Sequence, residues 1–190
     1  MTKTASGSSF RALVMLIIGV SALSMAAVFI RLAQEESVPS LVIAGGRLLI
    51  ATTLLIPIII RRADYRAQIR HISRRDLFLI TIGGVFLSLH FATWISSLEY
   101  TSVLISGVLV TTTPIWVALL ERFVLKSHLS AGVIIGLVVA LVGGMIIATP
   151  SGGSITAPTA NNPLLGGFLA LAGAWAVAVY FIVGRKMRGG

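Results

Sequence analysis

Within the apolar stretch 77–98, Gly83, His90, Trp94 and Ser97 fall at i, i+7, i+11 and i+14, so they share one face of a helix. An imidazole that titrates near neutrality can carry a coupling proton or donate to a bound solute, and an indole can stack on one. The same residues can also serve as a hydrogen bond between helices and an anchor at the membrane interface. Leu87 lies on this face too, so the stripe is only partly polar. Further on, Thr111, Thr112 and Thr113 precede Pro114 in the middle of a second apolar stretch. Proline removes a backbone donor and clashes with the preceding turn, which frees a carbonyl near Val110. Threonine hydroxyls can simply satisfy that group, or the kink at Pro114 can line a flexing solute path. Arg47 is the single charge in the run 37–60 and stands eight residues beyond Pro39, roughly 12 Å along a helix. It can attract an anionic or carboxylate-bearing solute, or it can snorkel outward and bond to exposed carbonyls. Ser21, Ser24, Val28 and Arg31 form a weaker polar face near the N-terminus. Near the C-terminus Trp175 and Tyr180 are five apart, hence on different faces, and at most one of them faces a cavity.

These residues need long apolar elements to hold them. The chain is 56% hydrophobic and only 11% charged, with a mean hydropathy of +0.99, against roughly 25% charged in ordinary soluble domains. Between Asp76 and Glu99 lie 22 uncharged residues, between Glu99 and Glu121 another 21, and between Arg11 and Arg31 another 19. At about 1.5 Å per residue each run crosses a hydrocarbon core of roughly 30 Å. The first run exceeds the roughly 7 to 15 residues of a signal-peptide core and leads into further crossings, so it reads as a retained helix. The charge-free stretch 129–184 is divided by Thr149–Pro163, rich in Gly, Pro, Ser and Asn, which marks a loop. Six crossings result, an all-α polytopic bundle in contact with the lipid bilayer. Gly45 and Gly46 in the second crossing, and Gly132, Gly136, Gly143 and Gly144 in the fifth, predict close helix packing.

Charge assigns the sides. Thirteen of the fifteen Lys and Arg residues fall in the N-terminal segment, the 61–75 loop, the 121–128 loop and the C-terminal tail. The opposite loops carry only Arg31, beside Glu35, Glu36 and Glu99. The positive-inside rule makes the basic side cytoplasmic, with both termini inside. The net charge of +9 is therefore topology, and nucleic acid is not an expected partner. A shift of 154 residues lays Arg31 on Arg185 and the first crossing on the sixth. A five-helix unit has odd parity, so a second copy would be inverted in the membrane, a common plan of secondary transporters.

The Pro39–Arg47 stretch, the Leu98–Ser102 turn, the Pro114 region, the Leu125–Ser130 exit, Gly143-Gly144, Trp175-Ala176 and Gly184-Arg185-Lys186 together resemble the EamA-type transporters of the drug/metabolite transporter superfamily. The likeness covers nearly the whole chain. It implies a 5+5 inverted-repeat permease of a bacterial cytoplasmic (inner) membrane, often an exporter of amino acids or other small metabolites. On that plan 1–10 is a cytoplasmic tail, 11–149 the first five-helix repeat, 150–163 an external loop and 164–190 the first helix of a second repeat. Two departures stand out. The family commonly has Glu in the turn after the fourth helix, where this chain has Ser127 followed by His128. The sequence also ends at Gly190, one helix into the second repeat, so the expectation is a fragment or a short protein that pairs with a second half or subunit.

What is missing narrows the chemistry. No carboxylate lies deep in a crossing, which disfavours proton-coupled export of cationic drugs through a membrane-embedded Glu. No Walker A sequence supplies an ATP motor. With no cysteine, disulfides and thiolate metal sites are excluded, and no cofactor or metal is expected. Ser106 with His90 as base would suggest an intramembrane hydrolase, but no further motif supports one. A non-transporting accessory or scaffold protein is the other alternative. The expectation is a secondary transporter, not an enzyme. Small-molecule substrate would lie between crossings one, three, four and six, near Ser21, His90, Trp94 and Thr112 or Thr113, with Arg47 and Trp175 as further contacts and a proton as candidate coupling ion.

Overall fold

The computed structural model describes residues 5–124, 131–147 and 162–188. Ser127, His128, the rest of the Leu125–Ser130 exit and most of the 149–163 loop lie outside the described residues. The elements are α1 (Ala5–Glu35), α2 (Ser40–Arg61), α3 (Ala63–Arg70), α4 (Arg74–Tyr100), α5 (Val103–Val110), α6 (Thr113–Val124), α7 (Ala131–Ile147) and α8 (Pro163–Arg188). There is no strand among the described residues. This is what lipid demands, because a helix satisfies its backbone groups internally and an open sheet edge cannot.

Five stretches are long and apolar enough to cross a membrane: Phe10–Glu35, Ser40–Arg61, Arg74–Tyr100, Val103–Val124 and Pro163–Arg188. The fifth crossing of the sequence reading is α7, described over 17 residues without a charge. The 61–75 loop holds a short helix, α3, that opens with Asp64 and closes with Arg70, each charge suited to its end of the helix dipole.

Local chemistry sets the helix ends. Ser73 Oγ accepts from Asp76 N and donates to Asp76 Oδ2, a reciprocal cap that starts α4. Ser102 Oγ accepts from Ile105 N to start α5, and Asn162 Oδ1 accepts from Leu165 N ahead of Pro163 in α8. Between α1 and α2 the chain reverses at Ser37, whose φ of 63° is left-handed. Val38 N donates to Ala33 O and Ser37 N to Gln34 O, so two carbonyls at the end of α1 are satisfied by a Schellman turn.

The core is the seam between α4 and α8, the most extensive helix contact described. The two run antiparallel: Gly166 faces Thr101, Gly173 faces Thr93 and Trp94, and Gly83 faces Tyr180 and Val183. On α8 the residues Gly166, Ala170, Gly173, Ala174 and Ala178 are all buried. α8 also lies against α5 and α6, and Arg185 at its end bonds to Glu121 of α6. α2 packs on α4 from another side, while α7 touches α5.

Among the described residues, a Cβ built at Gly45, Gly46, Gly132, Gly136 or Gly143 meets nothing within 4 Å, so the close packing expected of these glycines is not made with a described neighbour. The stripe that is packed lies on α8. Such a stripe permits close approach of backbones but does not select a partner, so the partner decides which one is used.

A Cβ at Gly166 would sit 2.8 Å from Thr101 Cβ and 2.9 Å from its backbone nitrogen. Gly166→Val is therefore expected to destabilise the bundle by about 1–3 kcal/mol, the usual cost of overpacking. Gly45→Val, facing open space, should change stability by less than about 0.5 kcal/mol. Thermal unfolding in one detergent compares them, and equal shifts would contradict the α4–α8 seam.

Candidate functional site

His90 stands ten residues before the end of α4, about 15 Å along the helix from its C-terminal turn. Its Nδ1 lies 2.8 Å from Gly173 O of α8. A carbonyl only accepts, so Nδ1 carries the hydrogen and Nε2 is left as an acceptor in the neutral ring. One turn on, the Trp94 ring stacks on the imidazole, with centroids 5.8 Å apart and planes at 9°. Gly173 makes this possible: a Cβ there would meet Thr93 Oγ1 at 3.1 Å and Trp94 Cβ at 3.2 Å.

From α2, Arg47 reaches the same aromatic group. Its Cζ lies 5.0 Å from the Phe91 ring centroid and 5.9 Å from that of Trp94, within the range of cation–π attraction. Arg47 Nη1 and Trp94 Nε1 are both buried and have no hydrogen-bond partner among the described residues. Around them Trp94 belongs to an apolar cluster with Ile30, Ala44, Ile95 and Leu98, on which Ile43, Phe91 and Val110 pack. The candidate site is thus a cationic and aromatic group within the crossing helices, shared by α2, α4 and α8.

The other predicted residues take separate positions. No hydrogen bond or ring contact joins Ser21, Thr112, Thr113 or Trp175 to this group among the described residues. Ser21, Ser24 and Val28 are exposed on α1, and Ser24 Oγ bonds back to Val20 O. Only Arg31 of that face turns inward. Trp175 is 41% exposed and meets Phe86 edge-on at 5.6 Å. Before Pro114 the helix breaks: α5 ends at Val110 and α6 starts at Thr113. The hydroxyls of Thr111, Thr112 and Thr113 donate to Val108 O, Leu109 O and Val110 O at 2.8, 2.6 and 2.7 Å. Each threonine spends its donor on the broken helix, which leaves only lone pairs for a solute.

Toward the C-terminal end of α4 a second polar group joins α1, α2 and α4. Arg31 donates to Leu98 O and lies 3.6 Å from Glu35. Gln34 Nε2 donates to Ser40 Oγ at 2.7 Å and to Ile95 O at 2.9 Å. Ser40 donates to Glu99 through both its hydroxyl and its backbone nitrogen. A cavity of about 170 Å³ is lined by Arg31, Gln34, Glu35 and Glu99. Sequence reasoning passed over Gln34 and Ser40, although a glutamine in the last turn of an apolar helix was a usable signal. Ser106 Oγ lies 2.6 Å from Ser97 Oγ, which itself donates to Trp94 O at 2.6 Å, so Ser106 is the donor of the pair. Ser106 and His90 are thus held by different partners. No group of three or more His, Asp or Glu that could hold a metal occurs among the described residues.

The fold and the site define a polytopic helical membrane protein with a cation and aromatic rings held together within its apolar helices. The chain belongs to the EamA-like transporter family, whose model matches residues 10–149. It is accordingly a membrane transporter of the drug/metabolite type, from a family of transporters and not of enzymes. No curated protein and no solved structure matches it.

The Ser97–Ser106 pair should be worth about 0.6 kcal/mol, and at most about 1.7, as buried hydrogen bonds within membranes are. A double-mutant cycle with Ser97→Ala and Ser106→Ala, read by unfolding in mixed micelles, measures it. Strict additivity would show the contact contributes nothing.

Proposed function

We propose that the chain forms part of a secondary permease, an exporter of small metabolites such as amino acids, and that solute is held at mid-membrane against Trp94 and His90 between α2, α4 and α8. One observation carries this reading. α8 lies beyond the segment 10–149 matched by the family, yet it presents Gly173 O to His90. On a 5+5 plan this is where the first repeat meets the start of the second, and inverted-repeat transporters hold solute at such a junction.

The remaining parts of the reading rest on chemistry. The basic residues of the 61–75 loop and the tail support cytoplasmic termini in a bacterial inner membrane. The break at Thr111–Thr112 gives α5 and α6 a hinge, and the Val110 side chain packs on the Trp94 cluster, so flexing there would reach the site. A proton is the coupling ion, carried at His90 Nε2; Arg47 across the Trp94 ring is the charged side chain that bears on it. A second half of the transporter, in the same chain or another, completes the solute path.

Counterflow of labelled amino acids in proteoliposomes tests this. At equal protein incorporated, His90→Ala should cut the initial rate at least tenfold and abolish acceleration by an imposed pH gradient. Thr113→Ala should lower the rate severalfold by loosening the hinge. Unchanged flux in both variants would sink the reading.

A further inference from the structure

Among the described residues Arg47 Nη1, Trp94 Nε1, Trp116 Nε1, Thr101 Oγ1 and Gln34 Oε1 are buried without a hydrogen-bond partner, and the first two belong to one group. Arg47 Nη1 and Trp94 Nε1 come from different helices and are both without a partner among the described residues. The Arg47 Cζ lies 5.9 Å from the Trp94 ring centroid, which puts the two donors in one neighbourhood. Trp94 is only 8% exposed, so bulk water is not on hand to serve its N–H.

The chemistry of the missing acceptor can be read from what is already used. The Phe91 and Trp94 rings lie over the guanidinium. Ring faces attract its positive charge but accept no in-plane N–H bond of normal strength. The edge donors of a guanidinium are matched by paired oxygens that carry negative charge. Arg47 is also the only charged residue within its run, and the deep parts of the other apolar runs contain no carboxylate. A cation left alone at this depth is costly, and such residues find a partner or mark a solute site. One positive charge balances one negative charge, so a doubly charged phosphate would leave a buried excess. The neighbours Ile43, Ala44, Ile95 and Leu98 are apolar, which suits a hydrocarbon attached to the anion.

We propose that Arg47 and Trp94 form a carboxylate subsite between α2 and α4, and that the solute is a small apolar metabolite recognised through its single carboxylate. This deepens the transport reading above by naming its substrate class. An amino group on the solute is permitted but is not what the subsite grips, because no embedded acid is there to pair with it.

The test is calorimetric titration of the purified chain in detergent with three probes of one skeleton: 4-methylpentanoate, L-leucine and isoamylamine. The first two should bind and the amine should not. Arg47→Gln should weaken 4-methylpentanoate at least thirtyfold. Trp94→Phe keeps a ring and deletes the N–H, and should weaken it three- to tenfold. Circular dichroism checks that each variant is folded, and if Arg47→Gln fails to fold then Trp94→Phe decides alone. Several results would overturn the subsite: no heat with either carboxylate, equal binding of isoamylamine, an equal response to inorganic phosphate, or unaltered affinity in folded variants. Proteoliposomes separate this from the broader reading. Carboxylate binding without flux would sink transport and leave the subsite, whereas flux unaffected by Arg47→Gln would sink the subsite and leave transport.

Discussion

Two helices can run within van der Waals reach of each other's backbone only if one of them gives up its side chains along the seam. In lipid this matters more than in water, because hydrocarbon tails are as apolar as leucine and only close contact and hydrogen bonds reward association. α8 gives them up at Gly166, Ala170, Gly173 and Ala174, and Trp94 and Thr93 of α4, with Thr101 that caps it, fill the space. From this approach follow the bond of His90 to the Gly173 carbonyl, the place of Trp94 beside it, and the route by which Arg47 of α2 comes to lie over the ring. A side chain at Gly173 would push α8 away and take the acceptor of His90 with it.

Most polar side chains described inside the bundle bond to a partner close to hand; Gln34 Oε1, Thr101 Oγ1 and Trp116 Nε1 are buried without one among the described residues, as are Arg47 Nη1 and Trp94 Nε1. The threonines before Pro114 turn back on their own helix. Ser97 and Ser106 bond to each other, and Gln34, Ser40 and Glu99 tie α1 and α2 to the end of α4. At the opposite end Arg185 and Glu121 join α8 to α6. The bare donors of Arg47 and Trp94 are set apart because they come from different helices and meet at one ring, and a buried donor without an acceptor costs roughly 1–3 kcal/mol. The bundle is braced at both ends, and the cationic and aromatic group lies between them.

Much of the fold was legible because long charge-free runs and turn residues are local signals. Ser73 three residues before Asp76, Ser102 after the Glu99 turn, and Asn162-Pro163 each mark a helix start that the structure shows. Which small-residue stripe would be packed was not legible, because Gly132 and Gly136 on α7 read much as Gly166 and Ala170 on α8. A stripe records permission for contact and not the partner. For the same reason the face of His90 and Trp94 could be read from helical spacing, while the Gly173 carbonyl could not, since every residue has a carbonyl. Ser21 and Trp175 are polar or aromatic groups within crossings, and which way each turns depends on helix rotation, which spacing within a single helix does not determine. Gln34 and Ser40 meet only because Ser37 turns left-handed, at a position where glycine would be the usual sign.

The register of α8 along α4 supports every part of this account, and the absence of native cysteine makes it directly measurable. In the Thr101→Cys, Gly166→Cys double variant the two Cβ atoms start 2.8 Å apart. A small separation brings them to the 3.5–4.5 Å of a disulfide. With a protease site placed in the chain between the two positions, mild oxidation in native membranes should leave the cut halves joined until a reductant is added. Halves that separate without reductant, in protein that is otherwise folded, would show that α8 does not lie on α4 in this register, and the site built on that contact would fall with it.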